Sequence, residues 1–311
     1  MSTVKQVLRI ATRQSRLALW QAEHVAARLR EIHRELDVVL VPMTTQGDRV
    51  LDRALAEVGG KGLFIKELER ALEDGRADIA VHSMKDVPSE LPPGMTLAAM
   101  LTRADPRDAF ISNRYSTFES LPEGARLGTS SPRRQAQLKH KRADLQITTL
   151  RGNVETRLRK LDAGEYDAIM LATAGLARLG LEERITQHLD TSYCVPAPGQ
   201  AIIGIECRDD DADSIALSQA LNDEISAQCG LAERAFARHL QGDCFSPIAA
   251  FAQIRGDTLE LSGLVASLDG QQIYRDSISG PSTRAVALGV ELAEKVLQAG
   301  AGAALPQTGR S

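Results

Sequence analysis

The sequence predicts an α/β protein in which two related parallel-sheet units are followed by a smaller α+β part. Three observations carry this expectation. Short apolar runs alternate with helix-period stretches through the first two thirds of the chain, one order of strand, polar turn, helix and strand occurs twice, and the last third changes to alternating strands beside helices.

The first unit opens with the apolar run VLRIA from Val7, a polar turn, and a helix expected from about Leu17 to Ile32 with Ser15 as its N-cap. A second strand, VVLVPM, starts at Val38. After the Gly47-Asp48 turn a helix is expected from about Leu63 to Glu73, with Gly75 at the left-handed position that ends it. The run DIAVHS, from Asp78, is the third strand, and it closes at Lys85 and Asp86. The same order recurs from Arg126. Strand RLG leads to the turn TSS and to a helix capped by Ser131 with Pro132 in its first position; LQITTL is the next strand. Asn153 caps the helix VETRLRKLDA, Gly164 ends it, and DAIMLA is the third strand. Even the helix exits match: Gly75, two residues, Asp78; then Gly164, two residues, Asp167. The prolines of ELPPG and RADPR mark one crossover and VPAPGQ the second, after which AIIGIEC is expected to return to the first sheet. A helical stretch through Leu240, strands such as LELSGLVAS and a helix ending near Gln298 form the α+β part. The domains expected are residues 1–101 with 200–220, residues 102–199 and residues 221–311.

A chain of 311 residues exceeds what one core usually organises, and 43% hydrophobic with 25% charged residues is an ordinary globular composition. A formal charge of −4 argues against a nucleic-acid binder, so any anion site must be local. No run reaches the roughly 18 apolar residues of a membrane span, and no signal-peptide core is visible at the start, so a cytoplasmic protein with no membrane partner is expected. Cys194, Cys207, Cys229 and Cys244 are widely spaced without a CxxC pair, which indicates neither a zinc site nor a disulfide framework.

In parallel α/β sheets ligands sit at the carboxyl ends of strands, against helix N-termini with unpaired amides. Those turns here also carry cations. Arg13 and Ser15 follow the first strand; Thr129, Ser130 and Ser131 with Arg133 and Arg134, then Arg151 and Arg157, occupy the matching turns of the second unit. The planar guanidinium fork donates two parallel hydrogen bonds to a carboxylate, so several arginines at such turns point to a polycarboxylate ligand. Asp86, at the end of an apolar strand beside Lys85 and Ser83, is the carboxylate best placed for acid/base work, whereas His82 reads as a packed core histidine. VGGKGLF, ending at Phe64, lacks the Walker spacing and reads as a mobile lid in which Lys61 could reach an anion.

The segments IATRQSRLALWQA, VGGKGLF, ADIAVHSMKDVPSELP, DPRDAF, GTSSPRRQAQL, LRGNVETRL and DAIMLATAGLARLG resemble the motifs of the porphobilinogen deaminase family, in register from about Leu8 to Ala250 and more weakly beyond. The resemblance implies three domains, the first two similar to periplasmic binding proteins. It implies a transferase that joins four porphobilinogen molecules head to tail, releasing ammonia, to give hydroxymethylbilane on the haem pathway. It further implies a dipyrromethane cofactor held by a thioether on a cysteine of the third domain, which matches Cys244 in LQGDCFSP, and no metal.

By the same resemblance Asp86 is catalytic, and Ser83, Lys85, Thr129, Ser130, Ser131, Arg133, Arg134 and Arg151 are cofactor-binding. Arg13, Ser15, Arg157 and Arg178 hold substrate carboxylates, Lys61 and Phe64 belong to the lid, and the protein is a monomer. Two residues depart from the family pattern: Asp243 replaces a small residue and Ser246 replaces Ile, Val or Thr. A carboxylate beside Cys244 raises its thiol pKa and opposes thiolate formation. The rival is a solute-binding protein of the same bilobal architecture, against which the missing export signal weighs.

Overall fold

The computed structural model of the chain describes residues 7–45, 65–242 and 246–305. Lys61, Phe64 and Cys244 lie outside the described residues. In chain order the elements are β1 (Val7–Arg13), α1 (Arg16–Ile32), β2 (Asp37–Met43), α2 (Lys66–Glu73), β3 (Ile79–Ser83) and β4 (Met95–Met100). Next come β5 (Asp108–Ile111), β6 (Arg126–Gly128), α3 (Pro132–Lys141), β7 (Gln146–Thr148), α4 (Val154–Asp162), β8 (Ala168–Ala172), α5 (Thr173–Arg178) and β9 (Gln187–Leu189). The chain then runs through β10 (Ile203–Arg208), α6 (Ala212–Gln219), α7 (Glu224–His239), β11 (Ile248–Arg255), β12 (Thr258–Ala266), β13 (Ile273–Pro281) and α8 (Ala285–Gln298).

Two compact units divide the chain, residues 1–104 with 201–227 and residues 105–200 with 228–311. The sheet of the first has the order β2-β1-β3-β10-β4, and that of the second β7-β6-β8-β5-β9. In each, the first three strands are parallel, the fourth, β10 in the first and β5 in the second, is antiparallel to both its neighbours, and the fifth, β4 or β9, runs with the first three again. As expected, the strand after VPAPGQ returns to the first sheet, between β3 and β4. The predicted two-fold repetition is therefore one of topology.

The matching helix exits have a shared physical cause. Gly75 and Gly164 adopt φ of +67° and +75°, the left-handed conformation that glycine tolerates at a helix end. Three residues on, Asp78 accepts from the Arg9 backbone amide at 2.7 Å and Asp167 from that of Arg126 at 2.8 Å. Arg9 and Arg126 return guanidinium hydrogen bonds to the carbonyls of Gly75 and Gly164. The same Arg-Gly-Asp arrangement thus ties the first strand of each unit to the start of its third.

Local signals place the helices. Ser15, Ser131 and Asn153 cap α1, α3 and α4, accepting from Ala18, Arg134 and Thr156. The expected single helical stretch after the acidic run is two helices: α6 ends at Gln219, and Asp223 starts α7 afresh by accepting from the Ser226 amide at 2.8 Å. Leu8, Ile10, Val25, Leu29 and Ile205 centre the core of the first unit. In the second unit Phe110, Phe118 and Leu127 lie under one face of the five-stranded sheet, and Phe236, Leu261 and Leu292 join α7 and α8 to the antiparallel sheet β11-β12-β13. That α+β part is held to residues 105–200 by backbone bonds. Ala250 donates to the Pro196 carbonyl, and the buried Glu233 carboxylate accepts from Gly199 and Ala252, both at 2.7 Å. Ala201, where the family more often has glycine, adopts φ of +73°, a conformation that costs an L-residue about 1 kcal/mol.

Candidate functional site

In the first unit the carboxyl ends of β1 and β3 bound a pocket lined by Arg13, Ser15, Gln21, His82, Ser83 and Asp86. Its floor is made by packing. After β3 the chain forms a 3-10 turn, Met84–Asp86, pinned where the Met84 amide donates to the Ile202 carbonyl at 3.0 Å. Met84 is buried over Gly204 of β10, where a Cβ would fall 2.1 Å from its sulfur. Only glycine at 204 admits that anchor, and the anchor leaves Lys85 and Asp86 half-buried, Asp86 lining the pocket. Gln21, on the apolar face of α1 and 2% exposed, reaches across to Ser83, with its Nε2 2.8 Å from Oγ.

Behind the pocket His82 is buried, as expected of a core histidine, but it is not an apolar-packed one. Its Nε2 lies 2.8 Å from the fully buried carboxylate of Glu206 on β10, the neighbouring strand. Glu69, on α2, completes an ionisable cluster: burial first, then the Glu206 charge, push its carboxyl up to about 7, against a smaller opposing effect of His82. Between the ordinary carboxyl value and 7 the folded chain holds a proton that the unfolded chain has released, so stability falls as pH rises through that window. Glu69→Gln should therefore be more stable than the parent at pH 8 by about 1 kcal/mol, a figure reduced for the half-exposed position, and equal to it at pH 4. Urea unfolding at the two pH values checks this, and an equal gain at both would refute the linkage.

In the second unit the turn after β6 carries Thr129, Ser130 and Ser131. Thr129 accepts from the Ser131 amide at 3.2 Å, and the Ser130 hydroxyl donates to the Leu150 carbonyl at 2.7 Å, joining this turn to the one that holds Arg151. Arg157, in the first half of α4, donates to the Gly152 carbonyl at 2.7 Å. Arg178 ends α5, and burial lowers its guanidinium to about 10, leaving it cationic at neutral pH.

Arg133 and Arg134 behave differently from the other arginines. Both are buried, and both turn their guanidinium groups inward to one carboxylate, Asp108 at the start of β5. Burial alone would raise the Asp108 carboxyl; the two guanidinium groups outweigh it and hold it well below the usual carboxylate range. Cys194 donates to the same carboxylate, and burial, then the Asp108 charge, push its thiol up to about 12. Cys207 lies in the first core and Cys229 in the α7 core, at 0% and 4% exposure. Among the described residues no group of acidic, histidine and cysteine side chains could hold a metal, and no helix is long and apolar enough to cross a membrane.

Residues 8–216 match the family described as porphobilinogen deaminase, dipyrromethane cofactor binding domain, and residues 227–298 match the porphobilinogen deaminase C-terminal domain. The chain is 55% identical over 292 residues to porphobilinogen deaminase of Chromobacterium violaceum, covering 94% of each. The chain belongs to the porphobilinogen deaminase family. Like its family it is a transferase of porphyrin biosynthesis, which condenses four porphobilinogen molecules head to tail into hydroxymethylbilane, and its cofactor is dipyrromethane. Among solved structures it is similar to the methionine-binding protein MetQ, at a TM-score of 0.45 and 15% identity over 72% of this chain and 90% of that one. It is also similar to the periplasmic VFT2 domain of BvgS from Bordetella pertussis, at 0.44 and 13% over 69% and 86%.

The donor set suits a porphobilinogen deaminase cofactor. Arg13, Ser15 and Ser83 in the pocket of the first unit, and the hydroxyls of Thr129, Ser130 and Ser131 with Arg151 in the second, are donors of the kind that the acetate and propionate groups of a pyrrole ring accept from. Sequence reading left out Gln21, Glu206, Asp108 and Gln200. Gln21, Glu206 and Asp108 each had a signal, a polar or charged residue on an apolar helix face or strand, and Gln200 had none, but no signal named a partner, because the partners are 25 to 124 positions away.

Proposed function

We propose that Asp86 is the catalytic residue, and that the pocket of the first unit is where its carboxylate meets the pyrrole nitrogens. The observation that carries this is the anchored turn Met84–Asp86, which presents the Asp86 carboxylate in a pocket lined also by Arg13, Ser15 and Ser83. A carboxylate there accepts hydrogen bonds from pyrrole N–H groups and stabilises the positive charge that develops as ammonia departs. It also lies at the place where the proton displaced on carbon–carbon bond formation must be taken up. Arg13 and Ser15 bind substrate carboxylates in this reading, as do Arg157 and Arg178; Ser83 and Lys85 bind the cofactor, with Thr129, Ser130, Ser131 and Arg151. Arg133 and Arg134 contribute charge from behind the 129–131 turn.

Dipyrromethane supplies the primer on which the chain of rings is extended. We place its attachment at Cys244, in a third domain of residues 221–311, since the thiols of Cys194, Cys207 and Cys229 are buried. The protein acts as a monomer in the cytoplasm, and Lys61 and Phe64 belong to the lid region, as the sequence and the family resemblance suggest. Arg13→Gln tests the pocket. Loss of one charge-assisted contact to a carboxylate, about 1.5–3 kcal/mol, should lower kcat/KM for porphobilinogen by about 10- to 100-fold, mainly through KM. Steady-state kinetics with KM unchanged would remove Arg13 from the substrate site.

A further inference from the structure

We propose that Asp108 is a positioning residue for this reaction, acting through Arg133 and Arg134. The inference rests on the reading that the Thr129–Ser131 turn holds the cofactor. Arg133 donates to Asp108 twice, Nη1 to Oδ2 at 2.7 Å and Nη2 to Oδ1 at 3.2 Å, and Arg134 donates from Nη2 to Oδ1 at 2.7 Å. Gln200 adds a donor at 3.0 Å and Cys194 one at 3.4 Å, so the carboxylate is hydrogen-bonded from four side chains. Arg133 also donates from Nη1 to the Val195 carbonyl at 2.6 Å, and Arg134 from Nη1 to the Met170 carbonyl at 3.0 Å.

Asp108 is 0% exposed and the arginines 3% and 5%. Two cations on one anion leave a single buried positive charge in the first turn of α3, directly after Ser131, where unpaired amides add the positive end of the helix dipole. A ligand carboxylate at that turn gains from this charge without either guanidinium leaving Asp108. Without Asp108 the two guanidinium groups would face each other unpaired in the interior and would have to separate. Their rotamers, and with them the N-terminal turn of α3, would no longer be fixed against β5, β8 and the 194–200 segment. Gln200 serves the same end, since its amide is shared between Asp108 and the Pro106 carbonyl at 2.6 Å.

The test is a double-mutant cycle on the cofactor-loaded enzyme with Asp108→Asn, Arg134→Lys and both, with kcat and KM expressed per dipyrromethane titrated by an aldehyde reagent. Each single variant should lose about 10-fold or more in kcat/KM, chiefly in KM, and the double variant should lose no more than the worse single one, since residues acting as one unit are not additive. Multiplying losses would show Arg134 binding carboxylates independently and would overturn the proposal. Parent-like kcat and KM in loaded protein with a lowered Tm would overturn it too, reducing Asp108 to a fold-holding role. If Asp108→Asn does not fold, Gln200→Ala takes its place in the cycle under the same criterion. Failure of the site reading is distinguishable: in that case the Ser130→Ala and Arg151→Gln variants load and turn over as the parent does.

Discussion

Asp86→Asn should lower kcat by about 10²- to 10⁴-fold while leaving dipyrromethane attached, the range expected when a charge that stabilises or transfers a proton in the transition state is removed. Asparagine keeps the size of the side chain and one acceptor. It cannot neutralise a developing cation or take up a proton. The backbone has no reason to respond, because the 3-10 turn is set by Met84 packed over Gly204 and by the Met84 amide on the Ile202 carbonyl, neither of which involves the 86 side chain. Gln21 continues to hold Ser83. Intact mass should therefore report an unchanged adduct, and rate measurements at saturating porphobilinogen the loss. A kcat within about 10-fold of the parent would exclude Asp86 as the acid/base group.

The legible part of this protein was what local chemistry decides. Caps at Ser15, Ser131 and Asn153, left-handed glycines at 75 and 164, and the apolar periods of the strands each act within a few residues, and the helix ends that these caps and glycines mark lie within a residue or two of where the signals put them. The repeated Gly-Asp spacing was visible as well, though not its cause, an aspartate tying two distant strands. The illegible part was pairing. Nothing local says that Arg133 and Arg134 face inward; in the sequence they look the same as Arg151 or Arg157, cations at a strand-to-helix turn. What separates them is Asp108, 25 and 26 positions earlier, whose burial makes it require cations. His82 was legible as buried and illegible as paired, since Glu206 arrives on a strand that returns from beyond the other unit's five-stranded sheet.

The cysteines bring the same contrast to bear on the cofactor. A thioether requires a thiolate that a pyrrole can reach, so exposure and thiol pKa decide which cysteine is competent. Cys194 fails on both counts, fully buried against Asp108 with its thiol near 12. Cys207, buried near the end of β10, and Cys229, on the core face of α7, have no room for two rings without opening their cores. Cys244 is the fourth cysteine of the sequence and the one that the family resemblance assigns to the cofactor. Cys244→Ser, a change of a single side-chain atom, should fold but carry no adduct and form no hydroxymethylbilane. Serine cannot substitute, because its hydroxyl does not ionise near neutral pH and so offers no nucleophile. The measurement is intact mass beside the colour given with an aldehyde reagent. The parent should exceed its sequence mass by two linked pyrrole units and the variant should match its own. An adduct retained in Cys244→Ser would move the attachment to another nucleophile, and an adduct lost with turnover retained would separate the cofactor from catalysis altogether.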